Sequence, residues 1–210
     1  MAKSIIFVLC FFSSSAFASL YVGAGVGKNH QTIPGGETGN PGDVWYTQDQ
    51  PYTRSYFLGA THNWYGVEAG YTDAGMYQRL NVGNAQNATQ KIATQFTYLK
   101  VLGYYHVSDN LRIFGSYGLA KYHFQNLEVA TYQNKVLYAQ TDTPSATAYT
   151  THGNTGHGIA PIFGYGINYR LNSHAEIRAS AQYLNHVDVS PWTGYSNLAI
   201  YSIDFIIATQ

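Results

Sequence analysis

Residues 96–124 decide the fold: FTYLKVLGYYHV (96–107) and NLRIFGSYGLAKYHF (110–124) are the two halves of one predicted hairpin. Both halves interleave aromatic and aliphatic side chains with Gly, Ser and Ala, and neither fits the helical repeat of about 3.6 residues. A turn at Ser108-Asp109 joins them. Strands of soluble proteins are usually about 5–6 residues long, whereas about 9–11 residues cross the bilayer in a membrane β-barrel. Halves of this length therefore predict transmembrane strands.

The N-terminal segment predicts an exported protein. Lys3 precedes the apolar run IIFVLCFF, which is too short to span a bilayer, and Ala16-Phe17-Ala18 follows as a small-x-small cleavage signal. We therefore expect residues 1–18 to be a signal peptide that is removed. Cys10 is the chain's one cysteine, and the bulky Leu9 before it argues against a lipoprotein cleavage site. The mature chain then has no disulfide and no thiol nucleophile.

The composition indicates a membrane protein without membrane helices. Charged residues make up 10% of the chain and aromatic residues 16%, with 20 tyrosines, whereas a soluble domain carries about 25% charged residues. Beyond residue 18, no stretch approaches the 18 or so consecutive apolar residues of a membrane helix. The net charge of +0 and the lack of a basic stripe argue against a nucleic-acid partner. Export combined with this composition favours the bacterial outer membrane.

The same design recurs along the chain. Short connectors at 61–64, 107–110 and 171–174 alternate with long polar connectors, which is typical of barrels with short periplasmic turns and long extracellular loops. The sequence thus predicts an all-β fold over residues 19–210, a transmembrane eight-stranded antiparallel up-and-down β-barrel. Its strands are expected at 20–28, 54–62, 64–75, 96–107, 110–124, 158–171, 174–186 and 198–209. Its extracellular loops are expected at about 29–53, 76–90, 131–155 and 188–197.

Alternation within the strands assigns their faces. In the sixth segment Tyr165 and Ile167 share a face, and Gly166 and Asn168 share the opposite one. In a membrane barrel the apolar face contacts lipid and the small polar face looks inward. A secreted soluble sandwich would show the same alternation, but it would need denser turn signals and more surface charge.

Four stretches carry a family resemblance that covers essentially the whole mature chain: LYVGAGVGK (20–28), YGVEAGYTDAG (65–75), GYYHVSDNLRIFGSYGLA (103–120) and YGINYRLNSHAEIRASAQY (165–183). They resemble the OmpA/OmpX-type and opacity-like eight-stranded outer-membrane barrels. The resemblance implies a role in envelope integrity, or in adhesion and host contact through the loops. We also expect a monomer without metal or cofactor, in contact with outer-membrane lipid and lipopolysaccharide.

Several charges fall inside the predicted strands. Glu68, Arg178 and Asp204 should lie at a similar height on the inward face, and the third and seventh segments are opposite one another in an eight-stranded ring. Charges buried there must satisfy each other. Two roles stay open: a structural plug, or a pair that breaks to open a narrow pore. The resemblance also places an interior acid at Glu68 and puts uncharged Asn168 and Ser180 where larger members carry charges.

Lys100 gives a contradictory signal, because Tyr98 and Leu102 in its row look lipid-facing. A lysine facing lipid at mid-membrane costs roughly 2–4 kcal/mol. The resemblance offers an inward lysine directly before L-G-Y, and here Val101 intervenes. We therefore expect a β-bulge at Val101 or Leu102, with Lys100 pointing into the lumen towards Glu68. The alternative is that the whole strand has the opposite parity, with Tyr98 and Leu102 inward.

An enzymatic role is not expected, although some eight-stranded barrels modify lipid A. Such an enzyme needs a histidine with a serine and an orienting acid at the outer rim. His106 and Ser108 have a suitable spacing but lie at a predicted periplasmic turn. His186, Asp188 and Ser190 form the better candidate, at the outer rim.

A metal site is not expected either. His152 and His157 lie in the glycine-rich stretch THGNTGHG at 151–158, and no acid lies nearby in the sequence.

Overall fold

The computed structural model describes residues 19–32, 44–49, 51–82, 86–133, 147–188 and 195–209. Within these residues lie nine antiparallel strands, and eight of them close into a barrel, as the sequence predicted. The predicted signal peptide lies outside the described residues. The strands are β1 (Ser19–Thr32), β2 (Val44–Asp49), β3 (Tyr52–His62), β4 (Tyr65–Val82), β5 (Gln86–His106), β6 (Leu111–Gln133), β7 (Thr147–Arg170), β8 (Ala175–Asp188) and β9 (Tyr195–Ala208).

The barrel is an up-and-down ring in which each strand pairs with its neighbours along the chain. It closes where β1 pairs with β9, from Tyr21 opposite Ala208 to Thr32 opposite Asn197. The short strand β2 is the ninth and pairs with the last residues of β4, beyond the part of β4 that pairs with β3. No helix in the described residues is long and apolar enough to cross a membrane.

The three predicted tight connectors are confirmed as turns at 63–64, 107–110 and 171–174. The Val107 amide donates to the Leu111 carbonyl at 2.9 Å. At the last turn the Asn172 side-chain oxygen accepts from the amides of His174 and Ala175, at 2.8 and 2.9 Å. These turns lie at one end of the barrel, the short-turn end, and the opposite end is called the long-connection end.

The strands reach further at the long-connection end than the sequence predicted. Residues 83–85 alone separate β4 from β5 in place of the expected loop 76–90, and residues 134–146 separate β6 from β7 in place of 131–155. The loops expected at 29–53 and 188–197 are likewise shortened by β1, β2, β8 and β9. The backbone ladder continues through Thr-, Gln- and Asn-rich segments because its hydrogen bonds need no apolar side chains. The end of hydrophobic alternation therefore marks the membrane boundary and not the end of a strand.

Two register shifts lie near the level where the apolar outer surface ends. Between β4 and β5 the pairing shifts after Asp73, and Gly75 there has a positive φ of 75°. The Asp73 side chain accepts from the Gly75 amide at 2.9 Å, and a glycine accommodates this backbone conformation without strain. Between β8 and β9 the pairing shifts after Leu184, and His186 has φ 57°. Both are bulges, which bend a strand and increase its twist.

The outer and inner faces follow the predicted alternation. Tyr165, Ile167 and Phe205 are exposed on the outside, whereas Asn168 and Asp204 are buried in the lumen. An apolar outer face suits lipid and a polar inner face suits the interior of a membrane barrel. The lumen therefore holds the side-chain core of the protein.

Strand β5 corrects one expectation. Lys100 pairs directly with Glu68 and Leu102 with Gly66, without a register shift between them. The predicted bulge at Val101 or Leu102 is wrong, and the alternative is right: Tyr98, Lys100 and Leu102 all face the lumen, with 5%, 3% and 2% exposure. The outward row of β5 is also largely apolar, with Leu99 and Val101 exposed. Hydropathy could not distinguish the two faces because both are rich in apolar residues.

Candidate functional site in the barrel interior

Glu68 on β4 lies at the centre of the interior charges and is fully buried. Its Oε1 is 3.0 Å from the Lys100 ammonium on the neighbouring strand β5. Its Oε2 is 2.6 Å from Nη1 of Arg178 on β8, on the opposite wall. The carboxylate therefore links two cations across the lumen, as expected for an eight-stranded ring narrow enough for side chains to meet.

Two tyrosines complete the surroundings of the Glu68 carboxylate. The Tyr21 hydroxyl donates to Oε2 at 2.8 Å, and the Tyr98 hydroxyl donates to Oε1 at 3.0 Å. A carboxylate offers about four lone-pair sites, so two cations and two hydroxyls satisfy it. Satisfaction of this kind is what allows charges to persist in a dry interior.

The two cations have further partners. The Arg178 Nε donates to the Asn168 side-chain oxygen at 3.3 Å, and the guanidinium lies 5.0 and 5.1 Å from the ring centres of Phe57 and Phe114. The Lys100 ammonium donates to the Gln182 side chain at 3.2 Å. Aromatic faces attract cations, most strongly where water is excluded. These contacts hold both cations in fixed positions.

A second ion pair lies nearer the short-turn end. Nη2 of Arg112 is 2.8 and 2.6 Å from the two carboxylate oxygens of Glu176, and Arg170 approaches the same carboxylate at 3.7 Å. The Asn168 amide donates to Glu176 at 3.1 Å and so connects this pair to Arg178. Arg112 and Glu176 were not predicted as interior residues, because charges beside turns are ordinary. Alternation along β8 could have identified Glu176, because it lies two residues from Arg178 and therefore on the same face of the strand.

Asp204 does not join this network in the way expected. It is 2% exposed and lies opposite Arg178 in the β8–β9 ladder. Within the described residues its Oδ1 has no hydrogen-bond partner, and Arg178 bonds Glu68 instead. The structure thus brings Glu68, Lys100 and Arg178 together and leaves Asp204 beside them.

An apolar layer from β5 to β9 lies in the lumen between the charges and the long-connection end, and β1 and β3 contribute the buried polar residues Asn29, Gln31 and Thr53 at this level. The members of the apolar layer are buried on five different strands, and all except Ile92 pack into one cluster. They project from levels about eight to fourteen residues beyond the short turns, further along the strands than Glu68 and Arg178. The layer consists of Ile92, Phe96, Tyr122, Phe124, Ile162, Leu184, Val187, Leu198 and Ile200.

A polar cavity lies on the opposite side of the charges. A cavity of about 260 Å³ is lined by Tyr104, Arg112, Glu176 and Arg178 at the short-turn end. It is bounded by the charged residues themselves. The interior is therefore a polar vestibule, then a charged layer, then an apolar layer.

The candidate sites outside the interior lie only partly within the described residues. His186 is exposed, but the Asp188 side chain and Ser190 lie outside the described residues. His106 packs edge-on against Trp64 at the short-turn end. His157 is exposed on β7, the His152 side chain lies outside the described part, and within that part no group of three metal-ligating side chains occurs.

Comparison with known proteins agrees with this architecture. The family described as the OmpA-like transmembrane domain matches residues 15–204. Among solved structures, the outer membrane protein OprG from Pseudomonas aeruginosa is 12% identical, with a TM-score of 0.55 over 91% of this chain and 96% of that one. The Neisserial surface protein A is 10% identical, with a TM-score of 0.53 over 90% of this chain and 98% of that one. At such identities the likeness shows the fold alone. No curated protein matches the chain.

Proposed function

The chain belongs to the OmpA-like transmembrane domain family of the bacterial outer membrane, and from this premise we propose that it is a closed, non-enzymatic barrel. It supports the integrity of the envelope and uses its long-connection end for surface contact, such as adhesion to a host or surface ligand. It acts as a monomer surrounded by outer-membrane lipid and lipopolysaccharide.

The observation that carries this proposal is the layering of the lumen. Glu68, Lys100 and Arg178 tie opposite walls together, and the apolar layer lies between them and the long-connection end. An interior of eight strands is just wide enough for side chains to fill. A barrel filled in this way suits mechanical support better than transport.

The proposed orientation of the barrel in the membrane follows from the lengths of the connections at its two ends. Barrels of this kind have short periplasmic turns and longer extracellular connections, so we assign the long-connection end to the cell exterior. The surface available for contact is then the extended upper part of β4 to β7.

A narrow channel is the less favoured alternative. It would require the Glu68 ion pairs to break and the apolar layer to move as well, because Phe96, Ile162 and Leu198 are each at most 2% exposed. A lipid-modifying enzyme is the other alternative, and it would need the Asp188 side chain and Ser190, which lie outside the described residues, beside His186.

Conductance tests the closed barrel. We expect the purified, folded protein to show no steady openings in planar bilayers, with Arg178→Ala equally silent because the apolar layer remains. Large, steady, ion-selective openings of the wild type would refute the proposal. In cells, loss of the protein should raise sensitivity to bile-salt detergent, and re-expression should reverse it. Unchanged sensitivity would remove the envelope role.

A further inference from the structure

Three basic side chains stand on the outside of the barrel where its apolar surface ends. Lys121 and His123 on β6 and His157 on β7 are all exposed. On the short-turn side of Lys121, the outward residues of β6 are apolar, with Tyr117 60% and Leu119 57% exposed. Strand β6 begins at Leu111, and the distance along the strand from there to Lys121 is about the 9–11 residues that cross a bilayer. The three basic residues therefore lie at the level of the lipid headgroups.

The register brings the three residues together. His123 pairs directly with His157 across the β6–β7 ladder, and Lys121 pairs with Ile159. Residues directly opposite in an antiparallel pair have Cβ atoms about 4.5–5.5 Å apart, and diagonal neighbours remain within reach of long side chains. Lys121 is thus the diagonal neighbour of His157. One compact surface of three basic groups results.

The neighbouring strand offers these groups no counter-charge. On β5, the residues opposite His123 and Lys121 are Gln95 and Thr97. On β7 the adjacent outward side chain is the exposed Thr155.

The nearest outward charges among the described residues lie further away. Asp73 is on β4, opposite Gln95, and Lys91 is on β5, opposite Leu127. On the other side, the described pairing of β7 with β8 ends at Ile162 opposite Leu184. No described acid therefore faces the three basic groups.

Three basic groups this close together favour an anion among them, because the Lys121 ammonium attracts it and each imidazole can donate a hydrogen bond to it. At headgroup depth, facing lipid, the neighbouring anion is a lipid phosphate. The apolar surface below, with Ile159 71% exposed, suits the acyl chains of the same lipid.

We propose that Lys121, His123 and His157 bind the phosphate-bearing headgroup of an outer-leaflet lipid, whose acyl chains lie along Leu119 and Ile159. The site rests on the proposed orientation of the barrel but not on its closed interior or its surface contacts.

Lipid retention by the folded full barrel tests the site. Protein in an uncharged detergent receives phosphatidic acid or phosphatidylcholine of the same chains, and native mass spectrometry counts the bound lipid. We expect wild type to retain phosphatidic acid preferentially over phosphatidylcholine. The triple variant Lys121→Gln, His123→Gln, His157→Gln should bind it roughly tenfold more weakly. The control Lys28→Gln, which removes an exposed cation from β1, should bind within twofold of wild type.

Several results would overturn the site. Equal retention of the two lipids would do so, as would equal losses in the triple variant and in Lys28→Gln, which would indicate general surface charge. Binding that vanishes with EDTA would indicate a metal held by the histidine pair. Full competition by inorganic phosphate would indicate a soluble anion as the ligand. Heat-modifiability on gels confirms folding of each variant. The conductance test changes none of the three basic residues, so the two proposals can fail separately.

Discussion

Arg178 and Asp204 stand directly opposite each other on β8 and β9, yet within the described residues no ion pair joins them. The guanidinium reaches across the lumen to Glu68 instead, at 2.6 Å. Proximity in the ladder therefore does not determine which charges pair. The Glu68 carboxylate also accepts from the Lys100 ammonium and from two tyrosine hydroxyls, so one carboxylate holds all four donors in place.

The two opposed residues should differ in their effect on stability. Arg178→Ala removes one of the two cations bonded to buried Glu68 and should cost roughly 3–5 kcal/mol of unfolding free energy. Asp204→Asn removes a carboxylate whose Oδ1 has no hydrogen-bond partner in the described part of the chain, and should cost less than about 1 kcal/mol. Urea unfolding in lipid vesicles measures both. A larger loss for Asp204→Asn would contradict this account of the charged layer.

The facing of β5 can be tested by lipid-soluble labelling of single cysteines. Substitutions at Leu99 and Val101, which are 59% and 58% exposed, should label strongly in the bilayer. Substitutions at Tyr98, Lys100 and Leu102 should label weakly, since these side chains face the lumen. Strong labelling at position 100 would place that lysine in lipid and remove its contact with Glu68.

Gly118 should not tolerate a side chain, because it lies opposite Lys100 in the ladder. A Cβ there would overlap the Leu99 carbonyl oxygen and stand 2.6 Å from the Lys100 Cα. Backbone cannot move aside as a side chain can, so Gly118→Ala should cost about 1–3 kcal/mol. Gly103→Ala is the matched control, since its Cβ meets nothing within 4 Å. Equal urea midpoints for the two variants would disprove the close approach.

Membrane orientation can be read from intact cells with a maleimide that does not cross the outer membrane. A cysteine at exposed Thr155 should react, whereas cysteines at Asp109 and Ser173, in the short turns, should react only after lysis. The reverse pattern would invert the barrel and would also move the proposed lipid site to the inner leaflet. Heat-modifiability on gels serves as the folding control for each variant.

The sequence was sufficient for the architecture because membrane strands obey two strong rules. Alternation separates lipid from lumen in β7 and β9, where polar and apolar residues differ clearly, and tight turns at 107–110 and 171–174 are visible as short polar breaks. The alternation rule fails for β5, because its lumen face is as apolar as its lipid face. Which residues of β5 face the lumen is shown by its pairing with β4 and not by hydropathy.

The interior contacts were less accessible for a similar reason. The height and facing of Glu68 and Arg178 follow from counting residues above a turn, which is why both could be proposed. Arg178 pairs with Glu68 and not with Asp204 because of the directions of the side chains, which cannot be obtained by counting residues from a turn. Arg112 and Glu176 lie so near the turns that the same count could not separate a lumen position from an ordinary rim position.

Because the strands differ in length, the longest of them extend beyond the membrane. Strand β7 has 24 residues and β8 has 14. At about 3.3 Å per residue and a tilt of about 40°, β7 rises roughly 60 Å, against an apolar band about 25 Å tall. With the long connections outside the cell, the ribbon of β6 and β7 extends roughly 30 Å beyond the bilayer. An approaching surface would meet this ribbon before it met the lipid.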